Sequence, residues 1–246
     1  MLYLHRKKVI LICFLVQLSH LGFAQKRVNE QLFQQDYDEK IVHFGYYIGP
    51  HVARYNLKEN QQFQLSNPAN PNYLITSPVV PGLWRFGGSV NVLVNDNFDF
   101  QTCLGASIYD RKIRFYKIGT TSVAANDEKQ EGNTAWLDFP AHLKFKSERR
   151  HNTRMYMFSG FRYATEIGQT TKRAGLNGTK INDKKKNDFM IEYGVGLEKF
   201  TPFAKISPEI CFSHGIINLL GISQDKSRIG LYNMTSNTVT LFIYFE

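Results

Sequence analysis

The stretch WRFGGSVNVLVNDNFDFQTCLGASIY, residues 84–109, decides the fold, because large apolar side chains occupy nearly every second position on either side of a tight turn. The turn is Asn95-Asp96-Asn97, and the alternation runs from Trp84 to Val94 before it and from Phe98 to Ile108 after it. A period of two places one set of side chains on each face of a β-strand. The stretch therefore predicts two long antiparallel strands joined by a short turn.

The same alternation recurs along the chain and predicts eight strands of roughly ten to fourteen residues each. The other six alternating runs cover residues 42–49, 137–145, 155–163, 188–198, 204–212 and 238–245. Strands of soluble β-sandwiches are commonly about five or six residues long, whereas a strand tilted across a membrane needs about 9–11 residues. The lengths therefore favour strands that span a membrane.

The predicted connections alternate strictly between long and short. The long connections cover residues 57–80, 112–132, 168–186 and 216–236, and the short ones cover residues 95–97, 147–153 and 199–202. This alternation is typical of outer-membrane barrels, which have short periplasmic turns and longer external loops. We therefore predict an all-β fold over residues 41–246: a single closed antiparallel transmembrane β-barrel of about eight strands, with up-and-down topology, short periplasmic turns and long outer loops.

The composition excludes three other classes of protein. Aromatic residues make up 14% of the chain, too many for an intrinsically disordered protein, and only three cysteines are present, too few for a disulfide-rich miniprotein. No apolar stretch of about 18 residues occurs after residue 24, so a helical membrane protein is excluded. The mean hydropathy of −0.32 suits a barrel, in which only alternate strand residues face lipid.

Residues 1–24 have the layout of a secretory signal peptide. Three positive charges (Arg6, Lys7, Lys8) precede a short apolar core, and small residues at Gly22 and Ala24 precede a predicted cleavage before Gln25. The core is too short for a membrane anchor. We expect residues 25–40 to form a periplasmic leader segment and the protein to reside in the outer membrane of a Gram-negative cell.

Charged residues alternate with the apolar set, so the barrel interior is predicted to be polar. An eight-strand barrel is just wide enough for side chains to fill, and buried charges must pair or hydrate. We expect a salt-bridged plug, with a small-solute conduit as the alternative. The predicted interior polar network comprises Arg85, Asp99, Asp138, Arg162, Glu192, Lys205 and Glu209.

Basic residues crowd one predicted periplasmic turn, and we interpret them as a docking patch for an acidic partner. The alternative is a solvated turn whose charges hold the strand ends at the lipid headgroups. This basic turn comprises Lys144, Lys146, Ser147, Arg149, Arg150, Asn152 and Arg154.

The third long loop is also basic, which predicts contact with anionic lipopolysaccharide. Membrane lipid and lipopolysaccharide are thus expected partners, and nucleic acid is not. The basic residues of this loop are Lys172, Arg173, Lys180, Lys184, Lys185 and Lys186.

Catalytic and cofactor chemistry find little support. A lipid-modifying enzyme would need a nucleophile, a base and an orienting acid on one surface, but the outward candidates Ser159 and His214 lie on different strands without such an acid. The seven histidines lack metal-ligand spacing, and His43 and His142 are expected to be hydrogen-bonded inside the barrel. Cys103 and Cys211 are expected to be buried without a bridge, although an oxidising compartment would permit one. We therefore predict a non-enzymatic protein without a metal or cofactor.

Several segments resemble the PorT family, called SprT in gliding bacteria, an outer-membrane component of the type IX secretion system of Bacteroidetes. The most specific match is LDFPAHLKFKS at residues 137–147, followed by Arg149, Arg150, Asn152 and Arg154; EYGVGLE at 192–198 and KISPE at 205–209 match as well. The resemblance implies a part in exporting cargo proteins and, in some relatives, in gliding motility, with other secretion components as partners.

The predicted barrel size restricts what that role can be. Open aqueous channels need about 16 or more strands, so an eight-strand barrel cannot pass a folded domain. We therefore expect an accessory or assembly factor for a larger translocon. The main alternative is a passive porin or a structural or adhesive barrel, and a lipid-modifying outer-membrane enzyme is the less favoured one.

Overall fold

The computed structural model describes residues 32–59, 73–117, 128–130, 134–169, 185–220 and 231–246. The chain divides into a unit of residues 1–32, of which only Leu32 is described, and a unit of residues 33–246 that contains the barrel. The predicted signal peptide and the first part of the leader segment therefore lie outside the described residues.

Nearly all the described secondary structure is β-strand. A single-turn 3-10 helix, Gln35–Tyr37, precedes the first strand. None of the described helical residues forms a helix long and apolar enough to cross a membrane. The strands are β1 (Val42–Glu59), β2 (Tyr73–Thr76), β3 (Val80–Leu93), β4 (Phe98–Tyr109), β5 (Lys112–Lys117), β6 (Glu128–Gln130), β7 (Thr134–Lys146), β8 (Thr153–Gln169), β9 (Asn187–Phe200), β10 (Lys205–Gly215) and β11 (Leu231–Phe245).

Eight of these strands close into an antiparallel barrel. The order around the barrel is β1-β11-β10-β9-β8-β7-β4-β3, and β3 pairs back with β1 through partners such as Phe44 and Val90. The predicted fold class is therefore confirmed. The remaining strands β2, β5 and β6 form a small sheet within the long connections, where the sequence pattern predicts only loops.

The connections between barrel strands alternate in length as predicted. The connections over residues 94–97, 147–152 and 201–204 are short, and those over 60–79, 110–133, 170–186 and 216–230 are long. Because successive strands run antiparallel, all short connections lie at one end of the barrel, the short-turn end, and all long ones at the other, the long-loop end. The first short turn is fixed by Asn95, whose Oδ1 accepts hydrogen bonds from the backbone N–H groups of Asn97 and Phe98 at 3.0 and 2.8 Å.

The outward faces of the barrel strands are apolar. On β1 the outward side chains from Val42 to Val52 are apolar, and Phe44 is 74% exposed. Ten residues of strand rise about 33 Å, or about 25 Å along an axis tilted by some 40°, which matches the apolar band of an outer-membrane barrel. The predicted assignment of the apolar set to the outside is therefore correct.

The interior contains aromatic side chains as well as charges. Tyr47, Tyr156, Phe158, Phe242 and Tyr244 form one buried cluster with Cys103 and Cys211. Both cysteines are free and buried, as expected from the sequence. Toward the long-loop end, Tyr109 and Trp136 form a second cluster with Ala53 and Ala164.

Candidate functional site

Two guanidinium groups and two carboxylates form an ion-paired layer across the middle of the barrel. Arg85 on β3 contacts Asp138 on β7 (Nε to Oδ2, 3.4 Å) and Glu192 on β9 (Nη1 to Oε1, 3.4 Å). Arg162 on β8 contacts the same two carboxylates, at 3.2 Å from Asp138 and 2.9 Å from Glu192. All four side chains are at most 1% exposed. In this middle layer the formal charges of the two guanidinium groups and the two carboxylates balance.

Further polar side chains complete the middle layer. Glu192 also contacts His142 Nε2 at 2.8 Å and accepts a hydrogen bond from the Ser213 hydroxyl at 2.7 Å. Arg162 donates to the Tyr109 hydroxyl at 2.8 Å, and Arg85 donates to Thr240 Oγ1 at 3.2 Å. Breaking a buried ion pair is costly because the remaining charge loses its partner. The layer therefore acts as one connected unit that joins opposite walls of the barrel.

A second set of ion pairs lies nearer the short-turn end. Lys146 Nζ is 2.6 Å from Asp99 Oδ1. Glu198 accepts from Arg154 at 2.6 Å and from Lys205 at 3.1 Å. Lys205 Nζ also lies 2.5 Å from the Glu246 carboxylate.

The seven residues predicted as the interior polar network are all buried, each at most 3% exposed: Arg85, Asp99, Asp138, Arg162, Glu192, Lys205 and Glu209. They do not form one cluster. Four make the middle layer, Asp99 and Lys205 belong to the second set, and Glu209 accepts a hydrogen bond from the Tyr156 hydroxyl at 2.7 Å. Sequence reasoning left out Glu198 and Arg111, although the period of two places Glu198 on the inward face.

The predicted basic turn is not a single exposed patch. Lys144, Lys146, Asn152 and Arg154 are buried, with exposed fractions of 1, 2, 9 and 5%. Ser147 and Arg150 are exposed, and Arg149 is partly exposed. The expectation that all seven face a partner is corrected here. Lys144 and Lys146 lie an even number of residues after the inward-facing Asp138 on β7, so the strand period of two directs them into the barrel as well. There Lys144 Nζ lies 4.5 Å from the centre of the Tyr156 ring.

Arg149 holds part of the predicted leader segment. Its guanidinium donates hydrogen bonds to the carbonyls of Phe33 and Gln34, the second at 3.1 Å. Asn152 Oδ1 accepts a hydrogen bond from the backbone N–H of Phe33 at 2.9 Å. We call Phe33–Asp38 the N-terminal clasp, because it lies against the short-turn end through these side chains.

Two titratable groups outside the strands stabilise the N-terminal clasp. Burial raises the pKa of the Tyr37 hydroxyl, so this group stays protonated and donates to the Glu246 carboxylate. Burial alone would raise the pKa of the Glu246 side chain, but the ammonium groups of Lys205 and Lys144 outweigh it and hold that pKa below its usual value of 4.5. Glu246 is therefore a carboxylate at neutral pH.

The outward candidates for catalysis do not meet. His214 is bonded on both sides, to the Tyr193 hydroxyl at 3.0 Å and to Asn237 Oδ1 at 3.2 Å. Neither of these described partners is a carboxylate, and Ser159 lies on β8 rather than beside His214 on β10. Within the described part of the chain, no group of three or more His, Cys, Asp or Glu side chains could hold a metal ion.

Both histidines that are expected to be hydrogen-bonded inside the barrel have polar neighbours. His142 is buried in the middle layer, and His43 Nε2 is 2.9 Å from the Tyr37 carbonyl oxygen.

Of the basic loop, Lys185 and Lys186 are exposed at the long-loop end. The other four members, Lys172, Arg173, Lys180 and Lys184, lie outside the described residues.

Comparison with known proteins identifies a family. The sequence profile of the family described as "Outer membrane protein beta-barrel domain" matches residues 23–221. None of the curated proteins matches the chain significantly.

Several solved structures are similar in fold. Ail of Yersinia pestis, an attachment invasion locus protein, is 12% identical with a TM-score of 0.38, over 84% of this chain and 99% of that one. OprG of Pseudomonas aeruginosa is 9% identical with a TM-score of 0.43, over 83% of this chain and 93% of that one. The outer membrane protein AlkL is 11% identical with a TM-score of 0.42, over 82% and 90% of the two chains. At these values the likeness carries no conclusion about function.

Proposed function

We propose that this chain, which belongs to the outer membrane protein β-barrel domain family, is a non-enzymatic accessory or assembly component of the type IX protein secretion system. In this role it is needed for the export of cargo proteins, and for gliding motility in bacteria that glide. The sequence resemblance to PorT over residues 137–154 supports this proposal. That stretch forms β7, the following short turn and the start of β8, and its Arg149 and Asn152 hold the N-terminal clasp.

The middle layer limits the role that the barrel can have in protein export. Arg85, Asp138, Arg162 and Glu192 join β3, β7, β8 and β9 across the lumen through ion pairs of 2.9 to 3.4 Å. A lumen of eight strands filled by side chains leaves no path for a polypeptide. A contribution to export therefore acts through the surfaces of the barrel on a larger translocon.

The short-turn end is the surface that we assign to secretion partners. In outer-membrane barrels the short turns face the periplasm. Arg150 and Ser147 are exposed there and Arg149 is partly exposed, so an acidic periplasmic subunit has cations to contact. At the long-loop end, the exposed Lys185 and Lys186 suit contact with the phosphates of lipopolysaccharide.

A passive structural or adhesive barrel is the second candidate. The continuous outward apolar band and the ion-paired lumen serve such a barrel equally well, because neither requires a secretion partner. A lipid-modifying enzyme is a weaker candidate, because His214 is bonded to Tyr193 and Asn237 rather than to a nucleophile and a carboxylate.

Deletion of the gene in a bacterium that carries it separates these functions. An accessory secretion factor should leave cargo proteins trapped in the periplasm, and expression of the wild-type chain should restore their export. Cargo location is measured by immunoblotting of periplasmic and surface fractions, with an unrelated outer-membrane protein as the control for envelope integrity. Normal cargo export with a fragile or leaky envelope would contradict the proposal and favour the passive barrel, and a missing lipid A modification would favour the enzyme.

A further inference from the structure

The N-terminal clasp is bound in part through its main chain. Arg149 donates to the carbonyls of Phe33 and Gln34, and Asn152 accepts from the Phe33 N–H at 2.9 Å. The Gln34 side chain in turn donates to the Thr201 carbonyl at 3.0 Å. Arg149 is held for this task, because its Nε donates to the His151 carbonyl at 2.9 Å and its guanidinium lies 3.7 Å from the centre of the Phe200 ring. Main-chain recognition of this kind accepts many peptide sequences.

Two side chains of the N-terminal clasp supply sequence preference. The Tyr37 ring stacks on His43 at 3.8 Å between centroids and meets Phe200 edge-on at 5.4 Å, and its hydroxyl donates to Glu246. The Asp38 carboxylate lies 2.9 Å from Arg154 Nη1 and 4.0 Å from Arg149 Nη1. In the clasp an aromatic residue is followed directly by an acidic one, and the barrel contacts both side chains.

The N-terminal clasp is not part of the barrel ladder. The β1 ladder begins with the bond between Leu93 N–H and the Ile41 carbonyl, after the clasp has ended. Within the clasp, the Tyr37 N–H bonds only locally, to the Gln34 carbonyl. The Asp38 side chain is 41% exposed, so it reaches its partners from the surface. Release of the clasp would therefore uncover Arg149, Arg154 and Phe200 without opening the barrel.

We infer that the short-turn end is a peptide-binding site which the protein's own N-terminal clasp occupies. Its ligand class is a peptide that forms a single 3-10 turn and offers main-chain carbonyls, an aromatic side chain and an adjacent carboxylate. If the proposed function holds, the acidic periplasmic partner supplies such a peptide and replaces the clasp. The inference about the site itself stands on the contacts of the clasp and does not require a role in secretion.

The N-terminal clasp is covalently joined to the barrel, so it competes strongly with any free peptide for the site. A segment joined by a short linker acts at an effective concentration on the order of millimolar. A free peptide with the same intrinsic affinity as the clasp therefore binds the wild-type protein poorly. It binds well only when the clasp is weakened. This difference makes the site testable with a single probe.

The test uses the full chain in lipid nanodiscs and a fluorescent peptide of sequence LFQQDYDEKI, which copies residues 32–41. The variant Tyr37→Ala/Asp38→Ala weakens the clasp and leaves the groups of the barrel intact. Fluorescence anisotropy should give peptide binding at least about ten-fold tighter for this variant than for the wild type, because the tethered competitor is lost. Adding Arg149→Ala should remove the gain. Adding Arg150→Ala, the matched control in the same turn, should leave it unchanged.

Three results would overturn the inference. The first is that the folded double variant does not bind the peptide, and the second is that the wild type and the variant bind it equally. The third is that a scrambled peptide of the same composition binds equally well, which would indicate charge attraction alone. Retention of the barrel is checked by its heat-modifiable mobility in gel electrophoresis. Normal cargo export in the deletion strain would remove the proposed function but not the site, so the two failures are distinguishable.

Discussion

Two inward glycines on β9 lie beneath aromatic rings of β8. Gly196 on β9 is the direct partner of Tyr156 on β8, and a Cβ atom at Gly196 would lie 2.2 Å from Tyr156 Cζ. The next inward pair, Gly194 and Phe158, has the same arrangement, with a Cβ-to-ring distance of 2.7 Å. An aromatic ring that covers a strand glycine compensates for the missing side chain. The glycines of the EYGVGLE stretch thus make room for the rings that fill the lumen.

Substitution of Gly196 should destabilise the barrel. The variant Gly196→Ala must displace the buried Tyr156 ring, at a cost of about 1–3 kcal/mol in the free energy of unfolding. The matched control is Gly88→Ala on β3, because a Cβ atom there would meet only the Gly45 carbonyl oxygen, at 3.9 Å. Urea unfolding in lipid vesicles, followed by tryptophan fluorescence, measures both variants. Equal stability of the two would contradict this account of the glycines.

The period of two predicts which charges are buried but not which charges pair. Arg85 and Glu192 belong to β3 and β9, which are not neighbours in the barrel, so their 3.4 Å contact depends on the width of the lumen rather than on strand register. Their burial follows from the alternation alone. Which residue such a side chain meets across the lumen depends on how the barrel closes. The local sequence pattern does not determine this.

At the short-turn end one group of charges joins β9, β10, the residue after β11 and the N-terminal clasp. Lys205 on β10 contacts Glu198 on β9 and Glu246 after β11, and its Nζ lies 4.5 Å from the centre of the Tyr37 ring of the N-terminal clasp. A carboxylate whose pKa is lowered in the folded protein stabilises the fold above its unfolded pKa. This contribution is lost as the pH falls through the folded pKa. Glu246 is such a carboxylate.

Acid should therefore weaken the short-turn end through Glu246. Below a pH of about 4.5, the usual pKa of a glutamate, the free energy of unfolding of the wild type should fall as the carboxylate takes up a proton. The variant Glu246→Gln should be less stable at neutral pH and should lose less stability on acidification. Denaturant unfolding at a series of pH values measures this, with Glu148→Gln in an exposed turn as the control. A pH profile of Glu246→Gln that parallels the wild type would contradict the role of this group.

The sequence predicts the barrel strands well because each is long and alternates strictly. It missed β5, Lys112–Lys117, because six residues of alternation inside a long connection are too short to stand out. Its Ile113 packs in a buried cluster with Tyr55 and Leu219, so this part of the loop is ordered by contacts with distant residues. The basic turn differs from its prediction for another reason: charge alone groups residues that are close in sequence, whereas the strand phase separates Lys146 from Arg150.

Basic and acidic side chains are equal in number among the buried residues that the structure describes. Seven Lys and Arg side chains are buried there, and so are seven Asp and Glu side chains when Glu246, with a side chain 2% exposed, is included. The excess of positive charge in this basic chain therefore lies outside the lumen of the described part. The cations are Arg85, Arg111, Lys144, Lys146, Arg154, Arg162 and Lys205, and the carboxylates are Asp99, Asp138, Asp188, Glu192, Glu198, Glu209 and Glu246.

A lumen filled by ion-paired side chains should conduct poorly. In planar lipid bilayers the purified wild type should form no stable wide pore, because the middle layer joins opposite walls through Arg85, Asp138, Arg162 and Glu192. The variant Arg85→Ser/Glu192→Ser removes one charge of each sign and two long side chains from this layer, while the 3.2 Å contact between Arg162 and Asp138 can persist. Its ion conductance should rise several-fold above that of the wild type.

The matched control removes one charge of each sign from the surface instead. Glu148→Ser/Lys199→Ser changes two exposed residues at the short-turn end and should leave the conductance unchanged. A steady small conductance in the wild type would favour the small-solute conduit over the plug. A stable pore wide enough for a polypeptide would contradict the accessory role, because the barrel itself would then be a path for cargo.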